Sequence, residues 1–123
     1  MQQQNLTGVK RLIAATSNSR KGFSAAWKHE EAFRQELVLV LVASPLALLL
    51  GNTWIERVLL LTSVLQILIV ELLNTGIEVV VDRISPDHHE LSGRAKDVAS
   101  AAVFVSLVLA ASTWALILVP RWL

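Results

Sequence analysis

Glu71, Asn74 and Glu78 stand at positions i, i+3 and i+7 of the stretch ELLNTGIEVVVD, which runs from Glu71 to Asp82. A helix there presents all three on one face, and Asp82, four residues past Glu78, extends the row. The row follows the uncharged run Val58 to Val70 (VLLLTSVLQILIV), so a carboxylate arrives where a hydrophobic span should continue. An ionised side chain in a bilayer is unfavourable by about 2.5 to 3.5 kcal/mol on insertion scales; such groups face polar cavities and mark function. Acids and an amide on one face offer the oxygen ligands that hard cations prefer. Magnesium takes one or two protein carboxylates and completes its shell with water and substrate phosphates. Glu30 is a further acid near the membrane boundary, and Arg94 and Lys96 are suited to phosphate. His88 and His89 suit either a nucleotide contact or simple solvation; joint metal ligation is disfavoured, because neighbouring positions on a helix point apart. A cation-binding acid pair beside basic residues at a membrane edge suggests phosphoryl transfer to a lipid. A proton relay or ion pathway would use the same buried carboxylates, and a purely structural pairing of Glu71 is a third reading.

The elements that must position these groups are apolar helices. The chain has 123 residues, of which 54% are hydrophobic and 17% charged, and its mean hydropathy is +0.55. That composition describes one all-α membrane domain, since a soluble domain this small cannot bury so much aliphatic surface. Leu37 to Leu50 (LVLVLVASPLALLL) is short of the ~20 residues of a full span, and extension back past Phe33 makes up the difference. Pro45 is tolerated there if neighbouring helices or Ser44 satisfy the carbonyl it frees. Gly51-Asn52-Thr53-Trp54 reads as a tight turn with an interfacial Trp. The second span begins near Ile55 and runs to Asp82 or beyond. Val58 to Asp82 alone covers roughly 37 Å, so Glu78 and Asp82 reach the interface while Glu71 lies about 16 Å deeper than Asp82. Arg83 to Asp97 reads as a polar loop with a turn at Ser85-Pro86-Asp87. Val98 to Pro120 is uncharged and long enough to span, with small residues favouring close helix contact. The expected spans are about 33–50, 55–82 and 95–119. They are preceded by a surface segment, about 8–30, of one or two short amphipathic helices with Lys10, Arg11, Arg20 and Lys21 toward anionic headgroups.

Nine of the eleven basic residues fall before the first span or between the second and third; only Arg57 and Arg121 lie on the other side. That asymmetry places the N-terminus and the 83–97 loop in the cytoplasm, in a multi-pass N-in, C-out arrangement. No cysteine is present, which excludes disulfides, zinc–thiolate sites and thiol nucleophiles. No cleavable signal peptide is expected, because the chain opens Met-Gln-Gln-Gln-Asn and its first long apolar run begins near Leu37. Neither a GxxxxGK(S/T) loop nor a strand-based glycine-rich loop occurs, so any nucleotide site must use helix ends, the acidic face and the loop.

The segments AAWKHEEAFRQE (Ala25 to Glu36), ELLNTGIEVVVDRI (Glu71 to Ile84) and HELSGRAKDVASAAV (His89 to Val103) resemble the bacterial integral-membrane diacylglycerol kinase family. The likeness runs through nearly the whole chain. It implies a homotrimer of three-span subunits with an N-terminal amphipathic surface helix, in the bacterial inner membrane. The implied activity is phosphorylation of diacylglycerol by magnesium ATP to give phosphatidic acid. A related branch of the family acts on undecaprenol and shares the Glu-Asn-Glu motif; the match at Ala25 to Glu36 favours the diacylglycerol branch. A small ion- or proton-conducting membrane protein is the alternative outside the family. The implied partners are diacylglycerol and membrane lipid, ATP and further copies of the chain, with no nucleic acid.

The resemblance also assigns roles. Glu71 matches the general base for the lipid hydroxyl, in direct in-line transfer without a phosphoenzyme. Glu30 and Glu78 match the acids holding the metal on ATP, and Asn74 would position reacting groups. Arg11, Asn18, Asp87, His88, His89, Lys96 and Asp97 match nucleotide-contacting positions, Arg11 being near the lipid as well. Ser24, Ala25, Ala26 and Trp27 match lipid contacts, as do Ala32, Phe33, Arg34, Gln35 and Glu36. Ser100 and Trp114 are further positions of that kind. The chain departs from the family pattern at Asp87-His88 and at Asn18, where an aromatic is usual. A chain this small can scarcely enclose both a lipid and a nucleotide, so sites shared between subunits are expected.

Overall fold

The computed structural model describes residues 7–84 and 86–123. A loose polar tail is expected over Met1 to Thr7, and all of it but Thr7, together with Ser85 of the expected turn, lies outside them. The described residues form four α-helices and a closing 3-10 turn: α1 Gly8–His29, α2 Glu31–Leu50, α3 Trp54–Ile84, α4 Glu90–Leu118 and the turn Val119–Trp122. No strand occurs among them. Three stretches, Glu31–Leu50, Trp54–Ile84 and Glu90–Trp122, are long and apolar enough to cross a membrane.

α1 is a single helix rather than two short ones. It opens on Gly8 at φ +60°, a conformation that glycine adopts without a Cβ clash. Glu30 breaks the path between α1 and α2 with an extended backbone, and its N–H closes α1 by donating to the Ala26 carbonyl at 2.9 Å. Arg34 reaches back to donate to the Trp27 carbonyl at 2.7 Å. A guanidinium beside Lys28 and His29 suits the negative end of α1.

α2 continues through Pro45. The Ser44 hydroxyl donates to the Val40 carbonyl at 2.7 Å, not to the Leu41 carbonyl that a proline at position 45 leaves without its helical donor. The buried side chains of α2, Phe33, Val40, Ala43 and Ala47, lie on one stripe. On α3 the buried residues Leu60, Ser63, Val64, Ile67 and Glu71 keep the same helical period. Glu71 therefore sits on the apolar stripe and is buried by register. Val40, Ala43, Val64, Ile67 and Ala110 form the core where α2, α3 and α4 meet, with Leu68 and Trp114 packed against it. Ala99, Ser106 and Ala110 are the buried residues of α4, and side chains this small let α4 approach α3 closely. Gln66 bridges the two helices by donating to the Ser106 carbonyl at 2.7 Å.

The polar loop expected over 83–97 is much shorter. α3 runs on to Ile84 and α4 already begins at Glu90, so Glu90 to Asp97 are helical. The reason is a cap: the His89 side chain accepts a hydrogen bond from the Leu91 N–H at 3.0 Å, and Glu90 places an acid in the first turn.

At the other end of the bundle two arginines satisfy the last carbonyls of α2. Arg57 Nε donates to the Leu48 carbonyl at 3.1 Å, and its guanidinium lies 4.5 Å from the centre of the Trp54 ring. Arg121 donates to the Leu50 carbonyl and pairs with Glu56, both at 2.5 Å.

Candidate active site

Along α3 the acidic row passes from buried to exposed. Glu71 is only 2% exposed, Asn74 and Glu78 are half-buried, and Asp82 is exposed. The Asn74 amide donates to Glu78 Oε1 at 3.4 Å and lies within reach of the Glu71 carboxyl. Asn74 thus links the two acids that the i, i+7 spacing aligns. The carboxyl of Glu36, from α2, is hydrogen-bonded to Glu71, and Glu30 and Glu78 lie within electrostatic reach of it. Glu30, Glu36, Glu71, Asn74 and Glu78 consequently form one neighbourhood drawn from α3, α2 and the break that follows α1.

Two oxygens in that neighbourhood, Glu36 Oε2 and Asn74 Oδ1, are buried with no hydrogen-bond partner, as is Thr75 Oγ1. Buried polar atoms are seldom left so, and these three have acceptor capacity to spare for a water, an ion or a ligand. Among the described residues no three His, Asp or Glu side chains converge as a metal cage. The donor set of Glu30, Glu78 and the Asn74 carbonyl oxygen instead fits a magnesium ion that arrives with most of its ligands on the nucleotide.

A cleft of about 570 Å³ runs between α1 and α3. Glu30, Phe23 and Ala26 line it on one side and Thr75, Gly76 and Val79 on the other. A second recess, about 230 Å³, lies where α3 and α4 meet and is bounded by Asp82, Asp87, His88, His89, Ser92 and Lys96. Lys96 Nζ is 2.6 Å from Asp82 Oδ1, and both residues line this recess. On the outer side of α1, Arg20, Lys21, Lys28, His29, Ser24 and Ala25 border a shallow basic groove.

The remaining sequence candidates divide. Phe33 is buried at 1% exposed, with its ring centre 6.3 Å from that of Phe23, and Ala26 is buried beneath α1. Trp27, Ala32, Gln35, Asp97 and Ser100 are exposed. Arg11 and Asn18 lie on α1 ahead of Ser19, the first residue of that helix to line the cleft. Trp114 Nε1 donates to the Leu60 carbonyl at 3.2 Å and to Ser63 Oγ at 3.1 Å. Ser63 precedes Glu71 by eight residues, about 12 Å along the helix, so Trp114 serves helix packing well away from the acids.

The pairing of Glu36 with Glu71 is absent from the expectations drawn above. The signal was available: an antiparallel hairpin turning at Gly51 to Thr53 brings Glu36, fourteen residues before Leu50, to nearly the depth of Glu71, seventeen after Trp54. The Asp82–Lys96 pair and the capping role of Arg34 were missed as well, since both join separate helices.

Residues 17–118 match the prokaryotic diacylglycerol kinase family. The chain is 53% identical over 114 residues to the diacylglycerol kinase of Escherichia coli (strain K12), covering 93% of each chain. It is 50% identical over 112 residues to that of Pseudomonas aeruginosa, covering 91% of each. For the Haemophilus influenzae enzyme the identity is 47% over 108 residues, 88% of this chain and 92% of its relative. With matches of this extent, the chain belongs to the prokaryotic diacylglycerol kinase family.

Proposed function

We propose that this protein transfers the γ-phosphoryl group of ATP to the free hydroxyl of diacylglycerol, giving phosphatidic acid and ADP. The observation that carries the proposal is a buried carboxyl, Glu71, at the deep end of an acidic row whose outer end meets Lys96 and the loop recess. That row joins an apolar depth suited to a lipid alcohol with a polar rim suited to a nucleotide. Names and identities of the relatives point the same way.

The hydroxyl oxygen attacks the γ-phosphorus in line as the bond to the β,γ-bridging oxygen breaks, so no phosphoenzyme forms. Glu71 accepts the hydroxyl proton; a carboxylate shielded from water is a stronger proton acceptor than a hydrated one. Asn74 holds Glu71 and Glu78 in register. Glu30 and Glu78 would hold the magnesium ion, and Lys96, with the loop residues Asp87, His88 and His89, would contact the nucleotide. The ion, when bound with ATP, neutralises charge on the phosphates.

The three apolar helices span the bacterial inner membrane with the N-terminus in the cytoplasm, and the whole chain acts as one membrane domain. α1 lies along the interface with its basic groove toward anionic headgroups. Subunits assemble as homotrimers, and neighbours complete each other's sites. Purified protein with radiolabelled ATP and either diacylglycerol or undecaprenol tests the activity and the lipid class together. Label in phosphatidic acid supports the proposal, whereas label only in undecaprenyl phosphate replaces the substrate. Ion flux in liposomes without ATP, with no labelled lipid, rejects the kinase reading.

A further inference from the structure

Asp82 takes no part in the chemistry proposed above, yet it holds the lysine on which nucleotide contact depends. Its Oδ1 lies 2.6 Å from Lys96 Nζ, and the two side chains are 64% and 42% exposed. Lys96 has a second acidic neighbour, Glu78, one helical turn deeper on the same face of α3. A single ammonium is therefore bonded to the outer carboxylate and within electrostatic reach of the deeper one.

The choice matters because Glu78 is a candidate ligand of the cation that comes with ATP. A lysine seated on Glu78 would neutralise that carboxylate and compete with the ion. Seated on Asp82, it leaves Glu78 open and stays at the wall of the 230 Å³ recess that both residues line. An exposed ion pair is weak and screened, so it yields readily to a phosphate, a more highly charged acceptor.

We infer that Asp82 is a positioning residue. It parks Lys96 clear of Glu78 until nucleotide arrives, whereupon Lys96 passes from Asp82 to a phosphate and the metal takes Glu78. The inference rests on the proposed roles of Glu78 and Lys96.

The test is binding rather than turnover. Full-length protein in lipid bicelles is titrated with manganese and a non-hydrolysable ATP analogue, and bound manganese is read by electron paramagnetic resonance. Asp82→Asn weakens binding about two- to fivefold, the scale of one exposed ion pair. Raising free manganese reverses the loss, because the ion then displaces Lys96 from Glu78. In a Lys96→Met background, adding Asp82→Asn has no further effect. A loss that persists without Lys96, resists added manganese, or fails to occur overturns the inference. Unchanged binding in both Glu78→Gln and Lys96→Met would remove the metal and nucleotide assignments themselves, and the inference with them.

Discussion

Glu36 on α2 and Glu71 on α3 meet side chain to side chain, their carboxyl groups hydrogen-bonded across the helix interface. A bond between two carboxyls needs a proton on one of them, because an ionised carboxylate only accepts. Glu36 therefore orients Glu71. Replacing Glu36 with Gln keeps an amide donor for Glu71, whereas Leu removes it. The Leu variant is expected to lose about 1–3 kcal/mol of stability, the scale for a buried polar group left unpaired. The Gln variant should stay close to the parent. Thermal unfolding of both variants in the same detergent checks this, and equal stability of the two would show that the bond has no structural role.

Trp114 offers a contrast between packing and lipid contact. Its indole N–H serves the Leu60 carbonyl and the Ser63 hydroxyl. Trp114→Phe keeps the ring and removes that donor. Stability should fall by about 0.5–1.5 kcal/mol, with KM for the lipid unchanged. A raised lipid KM in a variant of parental stability would instead make Trp114 a lipid contact.

Gly51 ends α2 where no side chain fits. A Cβ there would lie 2.5 Å from Arg57 Cγ and 3.0 Å from the Arg57 backbone nitrogen. Gly51→Ala must push Arg57 off the Leu48 carbonyl and the Trp54 ring. Overpacking of this kind is worth about 1–3 kcal/mol. The midpoint of thermal unfolding should fall while kcat holds, because the clasp and the acidic cluster occupy opposite ends of the bundle. A variant that melts with the parent would show that the turn relaxes freely.

Much of this was legible in the chain itself. Apolar runs marked three long helices, and the i, i+3, i+7 spacing placed Glu71, Asn74 and Glu78 on one face without any coordinates. Small residues in α4 announced its close packing. What escaped were relationships between helices. Glu36 lay within a stretch matched to lipid contact, and only the depth of the α2–α3 hairpin brings it to Glu71. Arg34 turns back to cap α1, which no periodicity encodes. The start of α4 was misplaced because charged residues after the turn resemble a loop, while the cap supplied by His89 lets a helix form through them. Likewise Ser44 bonds Val40, since a serine hydroxyl on a helix reaches the carbonyl one turn back on its own side.

Glu71 is proposed as the base that takes the lipid hydroxyl's proton. Single-turnover phosphorylation of diacylglycerol by Glu71→Gln, beside equilibrium binding of a non-hydrolysable ATP analogue, isolates that role. Loss of at least about two orders of magnitude in the chemical step, with nucleotide binding and thermal stability retained, is the predicted result. Phosphoryl transfer at the parental rate in that variant would show that another group takes the proton.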